Sequence, residues 1–99
     1  MLHGCATPEG TARYRERFAG SSPHHFRNKQ NLTLSSLGIG TYLGNADQAT
    51  DKNYADSVIR AVQLGSNVID CAANYRFQRS ERSIGQALAM LTAEHGFDR

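Results

Sequence analysis

Only two cysteines, Cys5 and Cys71, occur in the 99 residues, and neither belongs to a Cys-x-x-Cys pair. That excludes a framework of disulfide bridges and predicts a reduced, intracellular setting. No apolar run approaches the ~20 residues needed to span a bilayer. The opening Met1-Leu2-His3-Gly4-Cys5 also lacks a charged segment followed by an apolar stretch. A soluble, cytoplasmic protein with no membrane partner is therefore expected. An excess of one charge is missing as well: 11 basic and 9 acidic side chains leave a net charge of +2. That is too little to argue for nucleic acid or an anionic surface as partner. His24 and His25 are adjacent and point apart, with only His3 and Cys5 upstream, so no metal site is expected. The length suits one small domain or a piece of a larger one. No internal repeat or low-complexity run is visible.

What is present is an alternation of short extended and helical patterns. Residues 1–25 read as a surface extension that docks on the rest, with Thr7 as N-cap and Pro8 as first residue of a short helix. Tyr14 and Phe18, four apart, share one face of it, and Gly20 offers a stop. Extended runs around Phe26 and Leu32-Thr33-Leu34, separated by Asn28-Lys29-Gln30-Asn31, predict a hairpin. Leu37-Gly38-Ile39-Gly40-Thr41-Tyr42 follows as a buried strand whose glycines imply the close approach of a backbone or a ligand. It is no dinucleotide fingerprint, because the third glycine of that motif would fall at Leu43. Asp47 or Thr50 then caps an amphipathic helix with Tyr54, Val58, Ala61 and Val62 at helical spacing, Asp56 and Arg60 as a solvated pair, and Gly65 at its end. Val68 and Ile69 form the next strand. A second helix is expected from Ser80 as N-cap, with Ile84, Ala87, Leu88 and Leu91 inward and Gly85 permitting close packing. Strand, helix, glycine turn and strand make a βαβ unit and hence a parallel sheet.

The functional content concentrates in Val68-Ile69-Asp70-Cys71-Ala72-Ala73-Asn74-Tyr75. Asp70 and Tyr75 follow the C-terminal end of a strand, the end at which parallel α/β architectures place their chemistry. A tyrosine can donate a proton to a developing alkoxide when nearby charge and hydrogen bonds adjust its pKa, and a carboxylate helps organise such a set. The same two residues equally suit structural roles, the acid bonding loop N–H groups and the phenol packing.

Three stretches in register resemble the N-terminal third of the aldo-keto reductases: Leu37 to Tyr42, Val68 to Ala72 with Tyr75, and Ser80-Glu81-x-x-Ile84-Gly85-x-Ala87-Leu88. The similarity runs from about Phe26 to Leu91. It implies an α/β fold, a partial (β/α)8 TIM barrel made of an N-terminal hairpin and the first two βα units over residues 26–99, preceded by the 1–25 extension. It also implies a carbonyl reductase in which hydride comes from NADPH to a small carbonyl substrate. By motif position Tyr75 corresponds to the general acid, and Asp70 to the aspartate that pairs with the catalytic lysine near the nicotinamide ribose. Gly40, Thr41 and Tyr42 correspond to the loop lining the nicotinamide. Cys71 stands where the family has threonine, and Arg79 where it has glycine. The family's lysine and histidine fall beyond Arg99, and a barrel needs about 250 residues, so the chain alone is expected to be inactive. The alternative is a standalone, non-enzymatic α/β interaction module.

Overall fold

The computed structural model describes residues 4–98. Met1, Leu2, His3 and Arg99 lie outside it, and with them the first residues of the expected extension and His3 among the histidines considered for a metal. Helix α1 spans Pro8–Glu16, with Thr7 extended at its N-cap and accepting from the Gly10 amide at 2.9 Å. Proline at the first helical position lacks an N–H that would be unpaired there anyway. A tight turn already closes the helix at Arg17, ahead of Gly20.

Strands β1 (Phe26–Lys29) and β2 (Leu32–Ser35) form the expected antiparallel hairpin, with Phe26 opposite Ser35 and Lys29 opposite Leu32. Its two-residue turn places Gln30 at φ 52° and Asn31 at φ 65°. Both central residues in the left-handed region give the type I′ twist that matches paired strands. Strand β3 (Gly38–Gly40) then pairs in parallel with β4 (Val68–Asp70), in the register Gly38 to Val68, Ile39 to Ile69 and Gly40 to Asp70. The close approach implied by the first glycine is made by the neighbouring strand. A Cβ on Gly38 would stand 3.1 Å from the Val68 carbonyl oxygen and Cγ1.

The crossover between these strands is α2 (Gln48–Gln63), capped by Asp47 through the Thr50 amide at 2.8 Å. Hydrogen bonding from Thr50 also holds the Asp47 carboxyl below its ordinary range. Gly65 follows at φ 106°, a conformation in which a side chain is strained. After β4 and a loop comes α3 (Arg79–Glu94), which packs on α2 through Val58 and Ala87, both fully buried. Two expectations about helix surfaces are corrected. Asp56 pairs with Lys52 at 2.6 Å instead of Arg60, the same four-residue spacing taken in the other direction. Gly85 is exposed, with nothing within 4 Å of an added Cβ, so within these residues it serves no close contact.

A second core cluster joins the extension to the body: Tyr14, Phe26, Val62 and Leu91 are buried together, with Phe18 and Phe97 against them. Arg13 reaches Asp98 at 2.9 Å, and Arg17 reaches the Gly96 carbonyl at 2.5 Å while lying over the Phe97 ring. The Tyr14 hydroxyl donates to the Val62 carbonyl at 2.5 Å. Burial pushes that phenol up from 10.0 to about 12, against smaller opposing effects of the Gly65 backbone and Arg17. A folded-state pKa above the unfolded one favours folding fully below pH 10, and the contribution is lost as pH climbs through about 12. Tyr14→Phe is expected to lose about 1 kcal/mol at neutral pH. It should also flatten the alkaline fall in stability between pH 10 and 12, measured by urea unfolding at several pH values.

Part of the core is left open. An apolar cavity of about 410 Å³ is lined by Leu34, Ile69, Ile84, Leu88 and Leu91 among others. Ile84 and Leu88, expected to point inward, are only half-buried there, whereas Ala87 and Leu91 are buried.

Candidate active site

Parallel pairing of β3 with β4 carries Gly40 and Asp70 to the same end of the sheet. The opposite end, where both strands start, lies against the hairpin: the Asn67 backbone amide donates to the Ser35 hydroxyl at 3.0 Å, and the Ser66 hydroxyl donates to the Leu37 carbonyl at 2.7 Å. Immediately past β3, Thr41 is fully buried and its hydroxyl donates to the Asp70 backbone carbonyl at 2.8 Å. The Thr41 carbonyl in turn accepts from the Ser80 hydroxyl at 2.5 Å. Ser80 is therefore no N-cap, as its position in the sequence suggested. It is the second residue of α3, fully buried, and it stitches the helix to the strand end; the N-cap is Gln78, which makes no side-chain capping bond.

Beyond this buried seam the side chains open outward. The Tyr42 ring is largely exposed and meets the Tyr75 ring edge-on, with centroids 5.1 Å apart and an interplanar angle of 65°. Asp70 is exposed, Tyr75 is half-buried, and beside Gly40 nothing lies within 4 Å of where a Cβ would stand. All five of the residues singled out in the sequence thus gather at one end of the strands. Among the described residues, however, no hydrogen bond joins the Asp70 carboxylate to the Tyr75 hydroxyl, and the acid and phenol are linked only through the backbone and the Thr41 and Tyr42 contacts. His25 is committed elsewhere: its Nε2 faces the Gly65 carbonyl at 2.8 Å and its Nδ1 the Ser36 hydroxyl at 3.2 Å.

The residue that holds the Tyr75 loop in place, Arg76, belongs to no motif visible in the sequence. Arg76, Phe77 and Gln78 have φ values of 50°, 57° and 68°. Three successive non-glycine residues in the left-handed region each cost on the order of 1–3 kcal/mol and persist only where surrounding contacts enforce them. The enforcing contacts come from Arg76, whose side chain is only 2 % exposed. Its Nε donates to the Asn45 carbonyl at 2.9 Å, one Nη to Asp51 at 2.6 Å, the other to the Ser80 hydroxyl at 3.5 Å, and the guanidinium lies 4.8 Å from the centre of the Tyr54 ring. Arg79 takes the second oxygen of the same carboxylate at 2.6 Å. Partial desolvation raises the Asp51 carboxyl, but hydrogen bonds and charge from the two guanidiniums outweigh it and hold the group below its ordinary range. Asp51 also stands in the first turn of α2, where an acid suits the helix dipole.

The family's own sequence model, the Aldo/keto reductase family, matches residues 36–97. With that match over more than half its length, the chain belongs to the aldo-keto reductases. A curated relative, the NADH-specific methylglyoxal reductase of Escherichia coli strain K12, is 35% identical over 68 residues, which cover 64% of this chain and 21% of that protein. The chain thus spans about a fifth of the length of the relative it matches. No solved structure matches it.

Proposed function

We propose that residues 26–99 are the opening portion of a (β/α)8 barrel, with residues 1–25 as a docked extension, and that the complete protein reduces a small carbonyl compound. The observation that carries this reading is the parallel register that sets Thr41, Tyr42, Asp70 and Tyr75 around one strand end. The open apolar cavity between the sheet and α3 supports it too, since half-buried Ile84, Leu88 and Ile69 need further elements to cover them. In a barrel those elements are the next strands and helices.

The open space beside Gly40 fits a nicotinamide coenzyme, which Gly40, Thr41, Tyr42 and Asp70 would hold and which would supply a hydride to a carbonyl carbon. Gly40, with no Cβ, would leave room for it at the backbone, Thr41 keeps the strand end closed, and Tyr42 would offer it an aromatic surface. Tyr75 delivers the proton to the carbonyl oxygen as charge develops on it, the role of a general acid. Asp70, exposed and unpaired among the described residues, would hold a cation supplied by another strand of the complete barrel.

NADPH is the proposed hydride donor; the name of the Escherichia coli relative specifies NADH. Rates with each coenzyme, measured on the reading frame extended past Arg99, are expected to favour NADPH. The 99-residue chain alone is expected to show no turnover, and sustained coenzyme oxidation by it with aldehydes would refute that part. The enzyme reading itself is tested with a chimera in which this chain replaces the matching stretch of the Escherichia coli reductase. Coenzyme-dependent reduction of methylglyoxal or another aldehyde is expected. A folded chimera without any turnover would sink the proposal.

A further inference from the structure

We propose that Arg76 is a positioning residue for Tyr75: by tying the loop to the Asn45 carbonyl and the Asp51 carboxylate, it sets where the phenol stands beside Tyr42. The inference bears on catalysis only through the reading of Tyr75 as proton donor, but its geometry can be tested without turnover.

The argument starts from the loop's own preferences. Arginine, phenylalanine and glutamine have no intrinsic liking for left-handed backbone, so three of them in succession require an external restraint. Gln78 supplies no cap, and Phe77 is 82 % exposed, so neither side chain anchors the loop. Arg76 is the one of the three that is buried, and it spends its donors on three elements: the loop after β3, the first turn of α2 and Ser80 of α3. The loop after β3 itself carries Thr41 and Tyr42, and α2 is tied to it where the Tyr54 hydroxyl donates to the Leu43 carbonyl. The guanidinium therefore fixes the Tyr75 loop relative to the strand end it must serve. A lysine cannot substitute, because a single ammonium lacks the planar fork that reaches a carbonyl and a carboxylate together. Arg79 provides an internal comparison, since among the described residues its side chain bonds only the same Asp51 and not the loop that carries Tyr42.

In the 99-residue chain with labelled tyrosines, Arg76→Gln is expected to abolish the nuclear Overhauser contacts between the Tyr42 and Tyr75 rings, with helical circular dichroism unchanged. Arg79→Gln, which removes an equal charge from Asp51, should keep those contacts. Persistence of the contacts in Arg76→Gln, or their equal loss in both variants, overturns the proposal. Should Arg76→Gln fail to fold, Arg76→Lys decides the matter: contact intensity falling at least two-fold supports it, and full intensity overturns it. The two readings separate cleanly. Lost contacts together with a Tyr75→Phe chimera that still turns over would leave Arg76 its positioning role while removing the acid role from Tyr75.

Discussion

Replacing Tyr75 with phenylalanine in the chimera is expected to lower kcat by about 10²–10⁴-fold, the usual worth of a positioned proton donor. The protein should keep its fold and bind the coenzyme nearly as before. This follows from what the hydroxyl does and does not touch. Its ring rests edge-on against Tyr42, a contact that phenylalanine keeps, while the oxygen has no hydrogen bond among the described residues. Removing it therefore orphans nothing. A loss of turnover without loss of stability would point to chemistry; an unchanged kcat would return Tyr75 to the packing role that the sequence equally allowed. Initial rates at saturating aldehyde, with thermal melts of the same samples, distinguish the two.

The second large effect concerns stability. Leu91 is 2 % exposed and sits where α3 meets Tyr14, Phe26 and Val62. Leu91→Ala is expected to cost about 2–5 kcal/mol through lost burial and the cavity it leaves. A domain of this size has about 5–15 kcal/mol of stability in all, and each kcal/mol shifts its midpoint by about 4–8 °C. A fall of about 10 °C or more is expected in a thermal melt. Met90, its neighbour in sequence, is 40 % exposed. Met90→Ala should stay within about 0.5 kcal/mol, as surface changes do. Comparable losses from both would mean that α3 is held by something other than this cluster.

Features governed by local backbone chemistry were readable in the chain. Thr7-Pro8 marks a helix start because one side chain caps and the other needs no partner. Asp47 and Gly65 bracket α2 for the same kind of reason, and Asn31 suits the left-handed turn of the hairpin. The parallel pairing followed from the strand-helix-strand order, and with it the meeting of Thr41 and Asp70. Less was readable where a residue's partner is distant. Ser80 looks the same in sequence whether it caps α3 or, two positions further in, bonds the Thr41 carbonyl. Arg76 reads as an ordinary loop charge, since its partners Asn45 and Asp51 lie 31 and 25 positions away and leave no periodic trace. Asp51 shows in the chain only as an acid near a helix start, with nothing to mark its two arginine partners. Nor does Arg76-Phe77-Gln78 advertise a left-handed run, because the restraint that enforces it comes from tertiary contacts and not from the residues themselves. The inward stripe of α3 was half right: Ala87 and Leu91 have neighbours in this chain, while Ile84 and Leu88 face the open cavity.

Arg13 and Arg17 moor the stretch after α3 against the first helix, beside the hairpin. Phe97 completes the attachment, its ring 5.9 Å from that of Tyr14 in the cluster that also holds Leu91. The N-terminal helix thereby acts as a clasp on the far end of α3. Trimming it would loosen a helix to which it contributes no residue.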